Sequence, residues 1–130
     1  MLQINRMLAL LIGVVTPALE TFRRWDELIT LTVSWPAYLD DVLLGALLIV
    51  GAWRAGHGLS GRLALAAAWG FLCGLAYGSF FAQLGALDRP DPSGLAPALV
   101  VGIKGVGLVL GVIGLVTSVV ARDRFPPRVG

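Results

Sequence analysis

The chain has 130 residues, of which 57% are hydrophobic and only 14% are charged. In soluble domains about a quarter of all residues are charged. This composition therefore excludes an ordinary soluble protein and indicates a membrane protein. The formal net charge of +2 at pH 7 is too small to indicate a nucleic-acid-binding surface. Because Cys73 is the single cysteine, no disulfide can form within the chain.

Four apolar segments follow one another along the chain. A membrane-spanning helix needs about 20 mostly apolar residues. The segments at 63–87 and 96–121 reach that length directly, whereas those at 4–22 and 36–54 reach it with polar residues at their ends. We therefore predict one domain over residues 1–130, an all-α integral membrane protein whose four spans form an antiparallel bundle.

The first segment allows an alternative, because a charged residue before a short apolar core is also typical of a secretory signal peptide. In that interpretation Arg6 supplies the charge and Ala18 is the residue before cleavage. The sequence Thr16-Pro17-Ala18 lacks the small-x-small pattern of a cleavage site. A membrane span is therefore the preferred interpretation, and no targeting segment is assigned.

The arginines are distributed unevenly between alternate loops. If four spans alternate across the membrane, Arg23, Arg24 and Arg89 lie on one side. The larger group lies on the other side and comprises Arg6, Arg54, Arg62, Arg122, Arg124 and Arg128. The positive-inside rule then predicts that both termini are cytoplasmic, in a bacterial inner membrane. Trp25 and Trp35 suit the membrane interface, so the connection between the first two spans is expected to lie on the membrane surface.

Small residues recur at every fourth position of the third span and form a ridge of the glycine-zipper type: Ala66, Gly70, Gly74, Gly78 and Ala82. Small side chains allow helix backbones to approach closely in lipid, where no hydrophobic force drives helices together. Packing within the monomer is the preferred interpretation of this ridge. Self-association and docking on a larger complex are the alternatives.

The fourth span carries a second small-residue stripe at Gly107, Gly111, Gly114 and Ser118. These positions are three or four residues apart and therefore share one helix face. Lys104 lies three residues before Gly107 and continues the same stripe. Its ammonium group is thus expected to point into the packed seam rather than toward lipid.

An ionisable residue inside a membrane span is by default a functional candidate with a polar partner. At a rise of about 1.5 Å per residue, the polar residues of the four spans fall toward the same outer side, with Tyr77 somewhat deeper: Glu20, Asp40, Asp41, Tyr77, Gln83 and Lys104. We expect Lys104 to pair with Asp40 or Asp41. The other carboxylate is expected to meet Arg23, Arg24 or water.

Two interpretations of this polar cluster remain open. In the first, it is an orientation lock, in which an ion pair fixes which helices face each other and Asp40 complements the dipole at a helix N-terminus. In the second, it is a proton- or cation-linked site that opens outward. Asp41 would then be the titrating carboxylate, and Lys104 would displace its proton.

No catalytic, phosphate-binding or metal-binding motif is present in the sequence. His57 stands alone in a glycine-rich turn without a second ligand at metal-binding spacing, so no metal and no cofactor are expected. We predict a non-enzymatic protein that acts through helix association, as a homo-oligomer or as an accessory subunit. Its partners would be the lipid bilayer and other membrane subunits or itself, not nucleic acid. The alternative is a minimal proton- or cation-linked transporter or channel.

The arginine asymmetry makes the topology testable with reporter fusions. A reporter that is active only in the periplasm should be inactive when fused after residue 130 and active when fused at Pro92, because the first site is predicted to be cytoplasmic and the second periplasmic. The opposite pattern of activities would reverse the predicted orientation.

Overall fold

A computed structural model describes residues 1–121, so the predictions for Arg122, Arg124 and Arg128 lie outside the described residues. The described chain consists of helices: α1 (Leu2–Arg23), α2 (Trp25–Ile29), α3 (Trp35–Arg54), a short 3-10 turn (Ala55–His57), α4 (Leu59–Leu84) and α5 (Pro97–Val120). All of these except α2 and the 3-10 turn are long and apolar enough to cross a membrane. The prediction of four membrane-spanning helices in a multi-pass protein is therefore confirmed at the level of length and composition.

The helix boundaries follow from local backbone chemistry. Pro36 and Pro97 lie in the first turns of α3 and α5, where a missing backbone N–H costs nothing. Gly58 separates the 3-10 turn from α4 and has φ +99°, a conformation that glycine adopts without strain. Because the chain reverses at Gly58, α4 begins at Leu59, four residues before the predicted span, and it ends at Leu84.

The four long helices pack mainly on their neighbours in the chain. Helix α4 packs against both α3 and α5, α3 also packs against α1, and a smaller contact joins α1 to α5. The α1–α3 contact is a close backbone approach, since a Cβ atom at Gly45 would lie 2.5 Å from the carbonyl oxygen of Gly13. Gly51 makes a similar approach to Leu65 of α4. Glycine thus sets the spacing at two of the helix pairs.

The interior is small and centres on Trp69, which is fully buried. The other completely or almost completely buried apolar residues are Ala9, Leu48, Ala52, Ala55, Leu65 and Ala68. The indole ring of Trp69 lies against the α5 backbone, because a Cβ atom at Gly114 would come within 2.3 Å of it. A large side chain on α4 is therefore matched by the absence of one on α5.

Most large apolar side chains point outward. On α5, for example, Val106 is 60% exposed and Val119 is 61% exposed. Apolar surface this extensive would favour aggregation of a water-soluble monomer. The same surface is appropriate for contact with lipid, so the exposure pattern agrees with the spans that length and hydropathy indicate.

The glycines of the third-span ridge lack the packing within residues 1–121 that is expected from the sequence. Ala66 is buried, but no atom lies within 4 Å of a Cβ built on Gly70, Gly74 or Gly78. The seam within the chain is formed instead by a neighbouring face of α4, which carries Trp69. Within residues 1–121, the three glycines are therefore bare, contrary to the expected packing inside the monomer.

The second stripe divides in the middle. Gly111 and Gly114 lie in the seam with α4, and Ser118 is 2% exposed. At Gly107, however, nothing lies within 4 Å of a built Cβ. Among the glycines of the stripe, only those in its C-terminal half contact α4 closely: Leu72 and Cys73 lie against Gly111, and Trp69 lies against Gly114.

Replacement of Gly114 by alanine should destabilise the protein by about 1–3 kcal/mol, because the new methyl group would overpack a rigid indole ring. Gly102→Ala is the matched control, since Gly102 lies on the same helix with nothing within 4 Å of its built Cβ. Thermal unfolding in detergent measures the difference. Equal melting temperatures for the two variants would contradict the close contact of Trp69 with α5.

Candidate functional site

Lys104 lies in the second turn of α5 and is half-buried. Its Nζ donates a hydrogen bond of 3.1 Å to Oε1 of Gln83, near the end of α4. Among residues 1–121, no carboxylate oxygen lies within 4.0 Å of this ammonium group. The expected ion pair with Asp40 or Asp41 is therefore replaced by a charged hydrogen bond to an amide.

A carboxylate approaches this Lys104–Gln83 pair from the turn between α4 and α5. The backbone N–H of Ser93 donates to Oδ2 of Asp91 at 2.9 Å, and the Ser93 hydroxyl donates to the same oxygen. These hydrogen bonds lower the pKa of the Asp91 carboxyl from its ordinary value of 3.8, and Lys104 and Gln83 lower it further. The negative charge facing Lys104 thus comes from a turn residue that the sequence analysis did not select.

The other polar residues of the outer cluster form a separate group on α1 and α3. Glu20 accepts hydrogen bonds of 3.0 Å from both Arg23 and Arg24. The charged side chains near the half-buried Asp41 are those of Glu20, Arg24, Arg23 and Asp40. Here the arginines pair with Glu20, which precedes them by three and four residues, rather than with an aspartate of α3. The predicted single cluster is therefore two groups on different helix pairs.

Tyr77 belongs to neither group. It is 60% exposed, and its ring packs on Phe81 with the ring centroids 4.7 Å apart. The tyrosine hydroxyl that does enter a helix contact is that of Tyr38 of α3, which lies 2.9 Å from the Thr21 hydroxyl of α1.

The most extensive buried polar contact lies at the opposite end of the helices and centres on Asn5. Its Nδ2 donates to Ser118 Oγ at 2.9 Å, to Thr117 Oγ1 at 2.8 Å and to the Gly114 carbonyl oxygen at 3.0 Å. Its Oδ1 accepts a hydrogen bond of 2.7 Å from the Trp69 indole N–H. One amide therefore connects α1, α4 and α5.

The sequence did contain a signal for this contact. Asn5 is a polar residue at the start of an apolar helix, and Trp69 is an indole inside an apolar span that needs an acceptor when buried. Neither residue was selected as a site, because an asparagine beside Arg6 also suits a polar flank at the membrane boundary. The pairing depends on α1 and α5 meeting, which no spacing within either helix predicts.

Nearby, Arg6 is held on the end of α3. Its Nε donates a 2.7 Å hydrogen bond to the carbonyl oxygen of Ala52. The guanidinium then lies over Gly56, where a built Cβ would be 3.2 Å from Nη1. This contact places a cation beside the turn that joins α3 to α4.

No group of three or more histidine, cysteine, aspartate or glutamate side chains within residues 1–121 could hold a metal ion. Comparison of the chain with family models, curated proteins and solved structures gives no match. Function must therefore be argued from the contacts and open surfaces of this chain.

A pair of double-mutant cycles tests the new assignment of Lys104. Lys104→Met and Gln83→Leu should be coupled by about 1 kcal/mol in unfolding free energy, because the two side chains share a hydrogen bond. Lys104→Met and Asp41→Asn should add within about 0.5 kcal/mol, because the two side chains share no contact. A strong coupling energy between Lys104 and Asp41 would instead support the ion pair expected from the sequence.

Proposed function

We propose that this chain is a small, non-enzymatic protein of a bacterial inner membrane, with its four spans antiparallel and both termini cytoplasmic. In this proposal it acts through helix–helix association, as a homo-oligomer or as an accessory subunit of a larger membrane complex. The observation that carries the proposal is the bare ridge on α4, defined here as Gly70, Gly74 and Gly78.

The ridge exposes helix backbone where other lipid-facing positions carry large side chains. Glycine inside a helix is less favourable than alanine by about 1 kcal/mol per residue. Three glycines recur on one face of α4, and no described residue of another helix lies within 4 Å of their built Cβ atoms. In lipid, such a face permits another helix to approach within backbone contact distance. Because these glycines lower helix stability and no described residue covers them, contact with a partner helix is the favoured explanation for the ridge.

Aromatic side chains border the ridge on the same part of α4. Phe81 is 49% exposed and packs against both Tyr77 and Phe80. A partner helix seated on the glycines would bury these rings as well, so van der Waals contact would extend beyond the backbone itself.

The transport alternative needs Asp41 and Lys104 at one site. Asp41 has the Glu20 and arginine charges nearby, whereas Lys104 binds Gln83. Since the two residues belong to different groups, no observation in the described residues favours transport over association, and transport remains the second hypothesis.

Gly74→Ile should weaken association about tenfold, because a branched side chain would hold a partner helix away from the α4 backbone. The control is Gly102→Ile, which introduces the same side chain at another open helical glycine, on α5. Size-exclusion chromatography with light scattering in mild detergent would measure a homo-oligomer, and co-purification from membranes would measure a larger complex.

Both variants should fold alike, because a Cβ atom at either glycine would meet nothing within 4 Å among the described residues. Assembly of the same size and yield for Gly74→Ile, Gly102→Ile and the parent would remove the ridge as an association surface. A loss of assembly for Gly102→Ile alone would place the interface on α5 instead.

A further inference from the structure

A cleft lies between the C-terminal end of α3 and the N-terminal end of α4. Its volume is about 400 Å³, and it is lined by Trp53, Arg54, His57, Ser60 and Gly61. We propose that this cleft binds the phosphate group of an anionic phospholipid, through Arg54, His57 and Ser60 beside the membrane-facing indole of Trp53. This inference is independent of helix association through the α4 ridge.

The floor of the cleft is backbone. A Cβ atom at Gly61 would lie 1.7 Å from the carbonyl oxygen of Arg54, so only glycine permits α4 to start this close to the end of α3. The 3-10 turn Ala55–His57 then carries His57 to the rim. Arg54 and Ser60 thus lie on two helices whose ends are in close contact.

The lining supplies hydrogen-bond donors. Arg54 is exposed, and its guanidinium, with five N–H groups, forms no hydrogen bond or ion pair with residues 1–121. Ser60 adds a hydroxyl and His57 an imidazole. A planar guanidinium with free donors binds phosphate oxygens in a bidentate manner, so the group that suits this lining is an anion with several oxygens.

The surrounding charge also favours an anion. The Arg6 guanidinium lies over Gly56 of the adjoining turn. Within residues 1–121, the carboxylates occur only in the segments at 20–41 and 88–91, which belong to the opposite ends of the helices. An anion in the cleft would therefore meet positive potential without a nearby described carboxylate to oppose it.

The position of Trp53 identifies the source of the phosphate. Trp53 is 66% exposed, and its indole and the His57 imidazole pack in a T-shaped arrangement with ring centroids 6.1 Å apart. Exposed tryptophans at the end of a membrane span lie at the level of lipid headgroups. A basic cleft at that depth lies where phospholipid phosphates are concentrated, and such clefts bind anionic headgroups.

The test uses the full chain, delipidated in neutral detergent and titrated with phosphatidylglycerol while native mass spectrometry records bound lipid. Arg54→Gln should weaken phosphatidylglycerol binding about fivefold, which is the contribution of one cation near an anionic lipid surface. Arg54→Lys keeps the charge and should retain binding within about twofold of the parent. Phosphatidylcholine should bind the parent about tenfold more weakly, because it has no net negative charge.

Arg89→Gln is the matched control, because it removes the same charge from an exposed arginine in the turn after α4. It should bind phosphatidylglycerol like the parent. A second variant, His57→Gln, alters another exposed residue of the cleft lining and should also weaken phosphatidylglycerol binding. The test therefore does not depend on a single substitution.

Three outcomes would overturn the proposal. The first is equal affinity of Arg54→Gln and Arg89→Gln for phosphatidylglycerol, and the second is equal affinity of the parent for phosphatidylglycerol and phosphatidylcholine. The third is full competition by millimolar inorganic phosphate, which would identify a free anion rather than a lipid as the ligand.

Discussion

The hydrogen bonds of Asn5 are the contact on which the arrangement of the helices depends. Helices α1 and α5 come from opposite ends of the chain and otherwise share little surface. The Asn5 amide joins them through three acceptors on α5 while accepting from the Trp69 indole. A polar group buried in a membrane protein must be satisfied internally, so rotation of any of these helices would leave donors without acceptors. The contact therefore fixes which faces meet.

Around that contact, the helices pack closely at glycines, which have no side chain to hold them apart. Gly114 makes room for Trp69, and Gly45 allows α3 to lie against α1. Lipid offers no hydrophobic force that would bring these helices together. Their stability must then come from dispersion contact at short backbone distance and from the few satisfied polar groups. Most of the other large aliphatic side chains lie outside, where lipid can solvate them.

The two ends of the helices differ in chemistry. At one end, Arg6 and Arg54 lie beside a glycine turn with no described carboxylate near them. At the other, Glu20 pairs with Arg23 and Arg24, and Lys104 binds Gln83 near Asp91. At the acidic end, Glu20 and Lys104 thus have hydrogen-bond partners within the described chain, whereas Arg54 at the basic end keeps its donors available for an outside anion. This difference is the physical basis for placing lipid binding at the basic end.

Composition and segment length by themselves determined the helical class and the four spans, because a span of about 20 apolar residues satisfies its own backbone in lipid. Small-residue spacing likewise identified faces of α4 and α5 that permit close approach. Only the tertiary structure decided which of those faces is occupied. Gly111 and Gly114 are covered because α5 packs on the face of α4 that carries Trp69 and Leu72, whereas Gly74 lies on a face that no described residue covers. The same holds for polar partners, since Lys104 meets Gln83 rather than Asp41 once α4, not α3, lies beside α5.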